Sequence, residues 1–380
     1  MKIVHVYGGT LSSSRVKRIG GIEEHFVNLS SKLMKDFYVL YAGKPYDDSF
    51  PKAIKANSSF FVVLGDKNYV LYLFEFVKLI KQVKQNDTEL IVHVHFGPIS
   101  HMIILICRLM GIQNIYWTKH SRMATYKYSK PWFKSKLTSS LVTKLICVSK
   151  SVEEELEELN LGVGKTYVLP LGLNIKKYKD NVSKDKIDVL RKELKIDKNT
   201  FVITIVAQQR PEKRVEVFIK AFSEFLKKNE GCNAIALIVG GGPLEKENKK
   251  LADSLNILDK VKFMGLRHDI DVIYSISNVA GLTSETEGFG LAIAEAAAKS
   301  LPLFGTNAGA MPELIKEGET GFLFEIGDYE KLSNIFNEYY HNSSLCIKFG
   351  QAALKDMMER YDIDGCSDKL IALYKNEFGD

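Results

Sequence analysis

The densest chemistry in this 380-residue chain lies in one stretch, Ser284 to Ile315, which reads SETEGFGLAIAEAAAKSLPLFGTNAGAMPELI. An apolar run ends just before it and an Ala-rich run follows Gly290, so the pattern is strand, glycine turn, helix. Gly288 and Gly290 let the backbone approach a ligand closely. A helix beginning near Leu291 directs its free N–H groups over the turn, a setting suited to a phosphate. Glu287 precedes the turn, and Glu295 follows eight residues later, about 12 Å further along if the whole span were helical. That separation excludes a single acid–base pair and suits two carboxylates that grip different parts of an elongated ligand. Taken alone the spacing is weak, since a chain of this length offers such a pair of Glu by chance. A solvated carboxylate beside a helix start is the plain alternative.

Other constellations are weaker still. His93-Val94-His95 places two imidazoles on one strand face, a metal-like spacing, but no third ligand lies nearby in sequence, so core or cleft-edge histidines are expected and no metal site. Gly240 to Gly242 lacks the G-x-G-x-x-G spacing of a dinucleotide loop and reads as a tight turn. Tyr126 to Lys136 interleaves rings with cations: Lys127, Lys130, Trp132, Phe133 and Lys134 fit a membrane interface, with rings at headgroup level and Lys reaching lipid phosphates. Single-stranded nucleic acid would suit the same pattern, but no nucleic-acid fold motif accompanies it.

Strands and helices must position these groups. In the first half, Ile3 to Tyr7 reads as a strand, followed by a basic loop and a helix with Ile22, Phe26, Leu29 and Leu33 on one face. Leu90 to Phe96, Ile115 to Thr118 and Lys144 to Val148 read as further strands, and Val152 to Leu159 as a helix capped within Ser149-Lys150-Ser151. The second half restarts with Phe201 to Val206, a loop from Gln208 to Arg214, and a helix carrying Val215, Phe218, Ile219, Phe222 and Phe225. Ala234 to Val239, Val261 to Met264, Val279 to Thr283 and Leu303 to Gly305 continue the strands. Such alternation implies two doubly wound α/β domains, with the boundary in Leu169 to Ser183.

Composition sets the outer limits. Apolar residues at 46% and charged residues at 26% exclude a disordered or fibrous chain. Five scattered cysteines without a CxxC pair argue against a disulfide framework or zinc site. No apolar run reaches the ~20 residues of a membrane span, and MKIVHVYGG does not read as a signal peptide, so a cytoplasmic protein is expected. The charge is uneven: residues 1–180 carry 26 Lys and Arg against 15 Asp and Glu, within a net charge of +6 for the whole chain. That asymmetry suits a polyanionic or membrane-surface partner for the first half.

In its context, E-G-F-G-x4-E resembles the signature of the retaining glycosyltransferases of family 4, which have the GT-B fold: two Rossmann-like domains facing a central cleft. Further segments match in order, so the resemblance covers nearly the whole chain. They are Gly20-Gly21-Ile22-Glu23, Trp117 to Ser121, Cys147 to Ser151, Leu169 to Asn174, Val206 to Arg214, Val239 to Pro243 and Phe263-Met264-Gly265. The resemblance implies an N-terminal acceptor-side domain over 1–175, a nucleotide-sugar domain over 176–360, and a closing helix, about 361–380, packed back on the first. It implies a hexosyltransferase that moves a sugar with retention from a nucleotide-diphosphate sugar, expected to be a UDP-sugar, to a glycan or lipid-linked glycan in surface polysaccharide assembly. No cofactor, metal or nucleic acid is expected.

Residue by residue, the resemblance gives His120, Glu287 and Lys213 to the sugar and the diphosphate. Gly20, Gly21, Gly288, Phe289, Gly290 and Leu291 go to the backbone cradle, Glu295 to the ribose and Arg267 to the base. Where many relatives have an Arg two residues after the strand of the phosphate loop, this chain has Gln208, and Arg210 is the nearest substitute. Arg15, Lys17 and Arg18 are expected to meet a diphosphate on the acceptor, at the inner face of the cytoplasmic membrane. A nucleotide-sugar epimerase on the same fold and a non-catalytic basic α/β protein are the competing readings.

Overall fold

The computed structural model describes residues 1–7, 21–42, 49–56, 59–63, 69–84, 89–95, 99–123, 126–179 and 182–376. Arg15, Lys17, Arg18 and Gly20 lie outside the described residues. The chain divides into two compact units, Met1–Gly172 with Ile363–Asp380, and Leu173–Asp362.

The first unit runs β1 (Lys2–Tyr7), α1 (Gly21–Leu33), β2 (Phe37–Ala42), α2 (Ser49–Lys55), β3 (Ser59–Val63), α3 (Tyr69–Lys84), β4 (Leu90–Val94), α4 (Ser100–Leu109), β5 (Asn114–Lys119), α5 (Lys130–Leu141), β6 (Lys144–Cys147), α6 (Lys150–Glu158) and β7 (Thr166–Val168). The second runs α7 (Ile175–Lys179), α8 (Lys184–Leu194), β8 (Phe201–Val206), α9 (Val215–Lys228), β9 (Ala234–Val239), α10 (Glu245–Ser254), β10 (Val261–Gly265), α11 (Ile270–Ile276), β11 (Val279–Leu282), α12 (Leu291–Ala298), β12 (Leu303–Thr306), α13 (Met311–Leu314), β13 (Gly321–Phe324), α14 (Tyr329–His341) and α15 (Ser343–Arg360). A last helix, α16 (Ile363–Asn376), belongs to the first unit.

Each unit holds one parallel sheet, ordered β3-β2-β1-β4-β5-β6-β7 in the first and β10-β9-β8-β11-β12-β13 in the second. The inner strands are buried because helices cover both faces: β9, AIALIV, is apolar and buried along its whole length, whereas β1 and β4 also bury His5 and His93. In the second unit α9 turns Phe218, Phe222 and Phe225 to a core shared with Phe304 of β12 and Phe336 of α14. Each such side chain contributes about 1.5–3 kcal/mol by leaving water. In the first unit Phe26 and Leu29 of α1 meet Ile3, Phe37, Val39 and Ile91, and α16 adds Leu370 and Tyr374 to that cluster. Polar bonds pin α16 from outside: Asn28 Nδ2 donates to Asp364 Oδ1 at 2.8 Å, and Lys32 Nζ pairs with Asp368 at 2.5 Å. Gly172 makes the approach possible. At φ +77° it sits where a Cβ would lie 2.8 Å from the Ile363 Cα.

Four strands escape the sequence pattern: β2, β3, β7 and β13. β7 and β13 are only three and four residues long, whereas β2, FYVLYA, and β3, SFFVV, are apolar runs of strand length. In both sheets the strand order reverses once, between β1 and β4 and between β8 and β11. A crevice outside the carboxyl ends of the strands at such a reversal is the general ligand position of open parallel sheets.

Candidate functional site

In the second unit that crevice holds the residues singled out above. The loop after β8 winds through a 3-10 turn, Pro211–Lys213, and Arg214 then takes a left-handed conformation (φ 47°) that starts α9. The loop after β11 runs beside it. Thr283 Oγ1 donates to the Lys213 carbonyl at 2.9 Å, Glu285 N donates to the Glu212 carbonyl at 3.0 Å, and Arg214 pairs with Glu285 at 3.2 Å. The two loops are therefore one rigid piece. Across them, Lys213 Nζ donates to Glu287 Oε1, with both side chains partly open to solvent.

Glu287 is oriented from two more sides. Ser284 Oγ donates to the same carboxylate oxygen at 2.9 Å, and Ala310 N donates to the Glu287 carbonyl at 3.2 Å. The latter contact needs Gly309, where a Cβ would fall 2.7 Å from Glu287 N. α12 begins at Leu291 as expected, with Gly290 before it at φ 87° and no side chain capping the free N–H groups. A cationic amine, a carboxylate and a helix amino end thus share one crevice. Together they can hold a phosphate-bearing ligand and offset negative charge that builds on it.

Glu295 lies one turn into α12 and is buried, and Tyr178 Oη of α7 donates to its Oε1 at 2.5 Å. Tyr178 was not foreseen, since it sits in the polar stretch that reads as a domain boundary. Phe289 is buried, its ring 5.6 Å from that of Tyr361. Arg210 is exposed at the head of the 3-10 turn. Arg267 is held by two carboxylates instead, with Nε and Nη2 on Asp269 at 2.9 and 2.7 Å and Nη1 on Glu193 at 2.8 Å. The glycine triplet is more than a turn. A Cβ on Gly240 would lie 2.1 Å from the Ala207 carbonyl oxygen, and one on Gly242 2.4 Å from that of Gln209. Small residues there let the end of β9 lie directly against the loop after β8. Buried Gln209 ties the pieces together, donating to the Gly240 carbonyl and accepting from Asn248, both at 2.9 Å.

In the first unit, His120 directly follows β5. The segment that carries it is fastened to α6, where the nearly buried Glu155 accepts from Met123 N at 2.6 Å and from Arg122 Nε at 3.4 Å. Burial pushes the His120 imidazole down to about 3. Neighbouring Lys119 lies 3.6 Å over the Trp117 ring, and burial brings its ammonium down to about 8. His93 and His95 are core residues, but the expectation that no third imidazole stands near them fails. Parallel pairing of β1 with β4 sets His5 opposite His93, and the three rings form one buried cluster whose ligand atoms lie within 4.8 Å of one another. Sequence spacing conceals this, because His5 comes from a different strand.

The aromatic and basic stretch divides. Lys130 to Leu141 is α5, capped by Ser129, and Tyr126, Lys127, Tyr128, Lys130, Phe133 and Lys134 are exposed. Trp132 is a correction: its indole is buried and Nε1 donates to the Leu159 carbonyl at 2.8 Å, so it anchors α5 to the unit and faces no outside partner. Among the described residues, no helix is long and apolar enough to cross a membrane.

Two family models match in tandem: "Glycosyltransferase Family 4" over residues 19–177 and "Glycosyl transferases group 1" over residues 186–356. The chain is 29% identical over 191 residues to the N-acetyl-alpha-D-glucosaminyl L-malate synthase of Bacillus anthracis, a match that covers 50% of this chain and 48% of that one. It is 28% identical over 270 residues to the UDP-Gal:alpha-D-GlcNAc-diphosphoundecaprenol alpha-1,3-galactosyltransferase of Escherichia coli, covering 69% of this chain and 68% of that one. The chain thus spans about half the length of the first relative and two thirds of the second. Among solved structures, Anabaena HepE in complex with UDP superposes with a TM-score of 0.80 at 18% identity, covering 99% of this chain and 100% of that one. At that identity the likeness speaks for the fold alone, the GT-B arrangement of two Rossmann-like domains.

Proposed function

The chain belongs to glycosyltransferase family 4, and we propose that it transfers a hexose with retention from a UDP-sugar to a lipid-linked glycan during bacterial surface polysaccharide assembly. The observation that carries this reading is the junction of Lys213 and Glu287 at the mouth of the β8–β11 crevice, beside the uncapped start of α12. In this reading the Lys213 ammonium and the N–H groups around Phe289, Gly290 and Leu291 take the diphosphate. They offset the charge that builds on the leaving nucleotide as the glycosidic bond breaks. Glu287 binds the transferred sugar and Glu295 the ribose hydroxyls, the latter set in place by Tyr178. His120 faces the sugar, and Arg210, exposed on the same loop as Lys213, is the second phosphate cation. The printed name of the Escherichia coli relative supports a uridine nucleotide and a diphospholipid acceptor.

The first unit supplies a surface for such an acceptor. Phe133 and Leu137 of α5 are each 57% exposed, and neighbouring α4 exposes Met102, Leu105 and Leu109, the last at 88%. Lys127, Lys130 and Lys134 stand among them. Apolar side chains fringed by lysine fit an anionic membrane face, where each Lys is worth about 1 kcal/mol. We place the protein peripherally on the inner face of the cytoplasmic membrane.

Thermal unfolding against UDP, GDP, ADP and their common sugar conjugates tests the donor assignment. A ligand at 100 times its Kd stabilises by about 2.7 kcal/mol. The expected result is one uridine hit, lost in Lys213→Ala and Glu295→Ala. A hit with only GDP or ADP conjugates would overturn the uridine assignment, and no response to any nucleotide would overturn the donor site.

A further inference from the structure

Lys119 stands next to His120, and the chemistry above gives it no role. Alternation along β5 sends Thr118 to one face of the sheet, where it meets His93, and sends Trp117 and Lys119 to the other, against α4 and α5. There the Lys119 ammonium lies 3.6 Å from the centre of the Trp117 ring, and the His101 ring of α4 meets the same indole edge-on at 5.2 Å. His101 Nδ1 in turn donates to Thr138 Oγ1 of α5 at 2.8 Å, so Lys119 sits where the two helices join. Thr138 Oγ1 donates to the Lys134 carbonyl at 2.9 Å, which sets Lys134 one turn earlier on the same side of α5.

The Lys119 side chain is partly open to solvent but short of partners. Among the described residues, neither a carboxylate nor a hydrogen-bond acceptor lies against its ammonium. Burial brings it down to about 8, and Cys147 and Glu155 are the groups that oppose the shift. Burial holds the Cys147 thiol up at about 12, so it stays neutral, and the Glu155 carboxylate is taken by Met123 N and Arg122 Nε. His101 is brought down to about 4, by burial first and then by Lys134 and Lys119, so both ammonium groups act on one imidazole. The sequence explains the imbalance: residues 90–152 hold nine Lys and Arg and no Asp or Glu. A cation half out of water costs free energy unless it is paired, and the Trp117 ring offsets only part of that cost. Such a pair of lysines is built for an anion.

The neighbouring surface says which anion. Met102 and Leu105 of α4 and Phe133 and Leu137 of α5 are exposed on the helices that join at Lys119. A ligand that satisfies both features is anionic at one end and apolar along its length, and lysine meets phosphate as a point charge. Lys119 and His120 leave adjacent backbone positions, with Cα atoms about 3.8 Å apart, so a phosphate on one and a sugar on the other can belong to a single ligand. We infer that Lys119 and Lys134 form a phosphate site at the α4–α5 junction, which takes the phosphate of a lipid-borne acceptor and sets its sugar end toward His120. The inference rests on the proposal above that the acceptor is lipid-linked. The competing account is a lysine that only stacks on Trp117.

The full-length protein with 13Cε-labelled lysine gives the test, with Lys119 assigned by Lys119→Arg. Farnesyl diphosphate, a diphosphate on a short prenyl chain, is the probe, and farnesol and inorganic pyrophosphate are its controls. Farnesyl diphosphate should raise the Lys119 titration midpoint by about one pH unit or more, the shift that a close opposite charge produces. Its Kd should rise about tenfold in Lys119→Met, which keeps the stem over Trp117, and several-fold in Lys134→Met. An unmoved midpoint would overturn the site, and so would equal affinity in Lys119→Met. Inorganic pyrophosphate binding as tightly as the probe would refute the lipid-borne acceptor, and farnesol doing so would refute the phosphate. UDP added to the same wild-type protein reads the donor crevice separately. A response to UDP with none to farnesyl diphosphate would sink this site alone. The reverse would sink the donor reading and leave this site standing.

Discussion

Lys213 and Glu287 are joined by a hydrogen bond although 74 residues separate them, because β8 and β11 are neighbours where the strand order of the sheet reverses. The loops after those strands are cross-linked by Thr283 and Glu285, which hold the two backbones in register. Removing one group that meets developing charge costs about 10²–10³ in rate. We expect Lys213→Ala to lower kcat by that factor. Lys213→Arg should recover part of it, since the charge remains but the fork does not match a point contact. A kcat within threefold of wild type in Lys213→Ala would refute the assignment.

Gly309 supports Glu287 from behind. Gly309→Ala sets a methyl 2.7 Å from Glu287 N at φ +56°, so both backbone strain and a clash result. Gly318→Ala is the control, with a similar φ of +72° and nothing within 4 Å. Gly318→Ala should lose about 1–2 kcal/mol of stability, read from urea midpoints, and Gly309→Ala should lose more because of the added clash. Only Gly309→Ala should lose transfer activity. Equal activity in the two would show that the Glu287 position is not critical.

Much of this site was legible in sequence. Helix α12 begins at the residue expected, and the strand before Lys213 matches at both ends. Apolar runs buried on two faces leave a plain trace. What stayed hidden depends on pairing between distant segments. His5 joins His93 only through the register of β1 on β4. Tyr178 reaches Glu295 from a helix of five residues, too short for a periodic signal. Trp132 misled because an aromatic flanked by lysines reads the same whether its ring points outward or into the core. The glycine triplet looked like a turn because the strand-end contact it permits is long-range.

Tyr178 gives a prediction of its own. Its hydroxyl orients Glu295 without being assigned a contact to ligand, so Tyr178→Phe should raise the KM for the sugar donor several-fold and leave kcat nearly unchanged. Glu295→Gln should resemble it in direction and exceed it in size. A fall in kcat at constant KM in Tyr178→Phe would place the pair in the reaction step rather than in binding.

Acid should act on the first unit. Six of the eight histidines lie there, and all six are shifted down by burial: His25 and His101 to about 4, His120 to about 3, and His5, His93 and His95 well below 6.5. A depressed folded-state value means that the unfolded chain takes up protons first. The stability from each group is therefore present above the unfolded value, near 6.5, and is lost as the pH falls toward the folded value. A histidine that stays neutral while folded contributes a slope of up to about 1.4 kcal/mol per pH unit in that window. We expect unfolding midpoints to fall between pH 6.5 and 4. In hydrogen exchange at pH 5, the amides of β1, β4 and β5 should open before those of β8, β9 and β11. Uniform opening of both sheets would contradict the assignment.

The exposed face of α4 and α5 separates membrane binding from plain solubility. Phe133 and Leu137 project from α5 amid lysines, whereas Trp132 holds the helix to its unit, so the exposed and the buried side chains should respond differently. Phe133→Ser with Leu137→Ser should leave the unfolding midpoint within a degree or two and weaken flotation on phosphatidylglycerol vesicles. Trp132→Ala should lower the midpoint instead, because burial of its ring and a hydrogen bond are both lost. Lys127→Glu, Lys130→Glu and Lys134→Glu together should weaken flotation at low salt and have less effect at 0.5 M salt, where the screening length shrinks to a few ångströms. Wild-type protein that stays with the soluble fraction on anionic vesicles at low salt would remove the membrane reading and leave the UDP-sugar site untouched, since the two rest on different units.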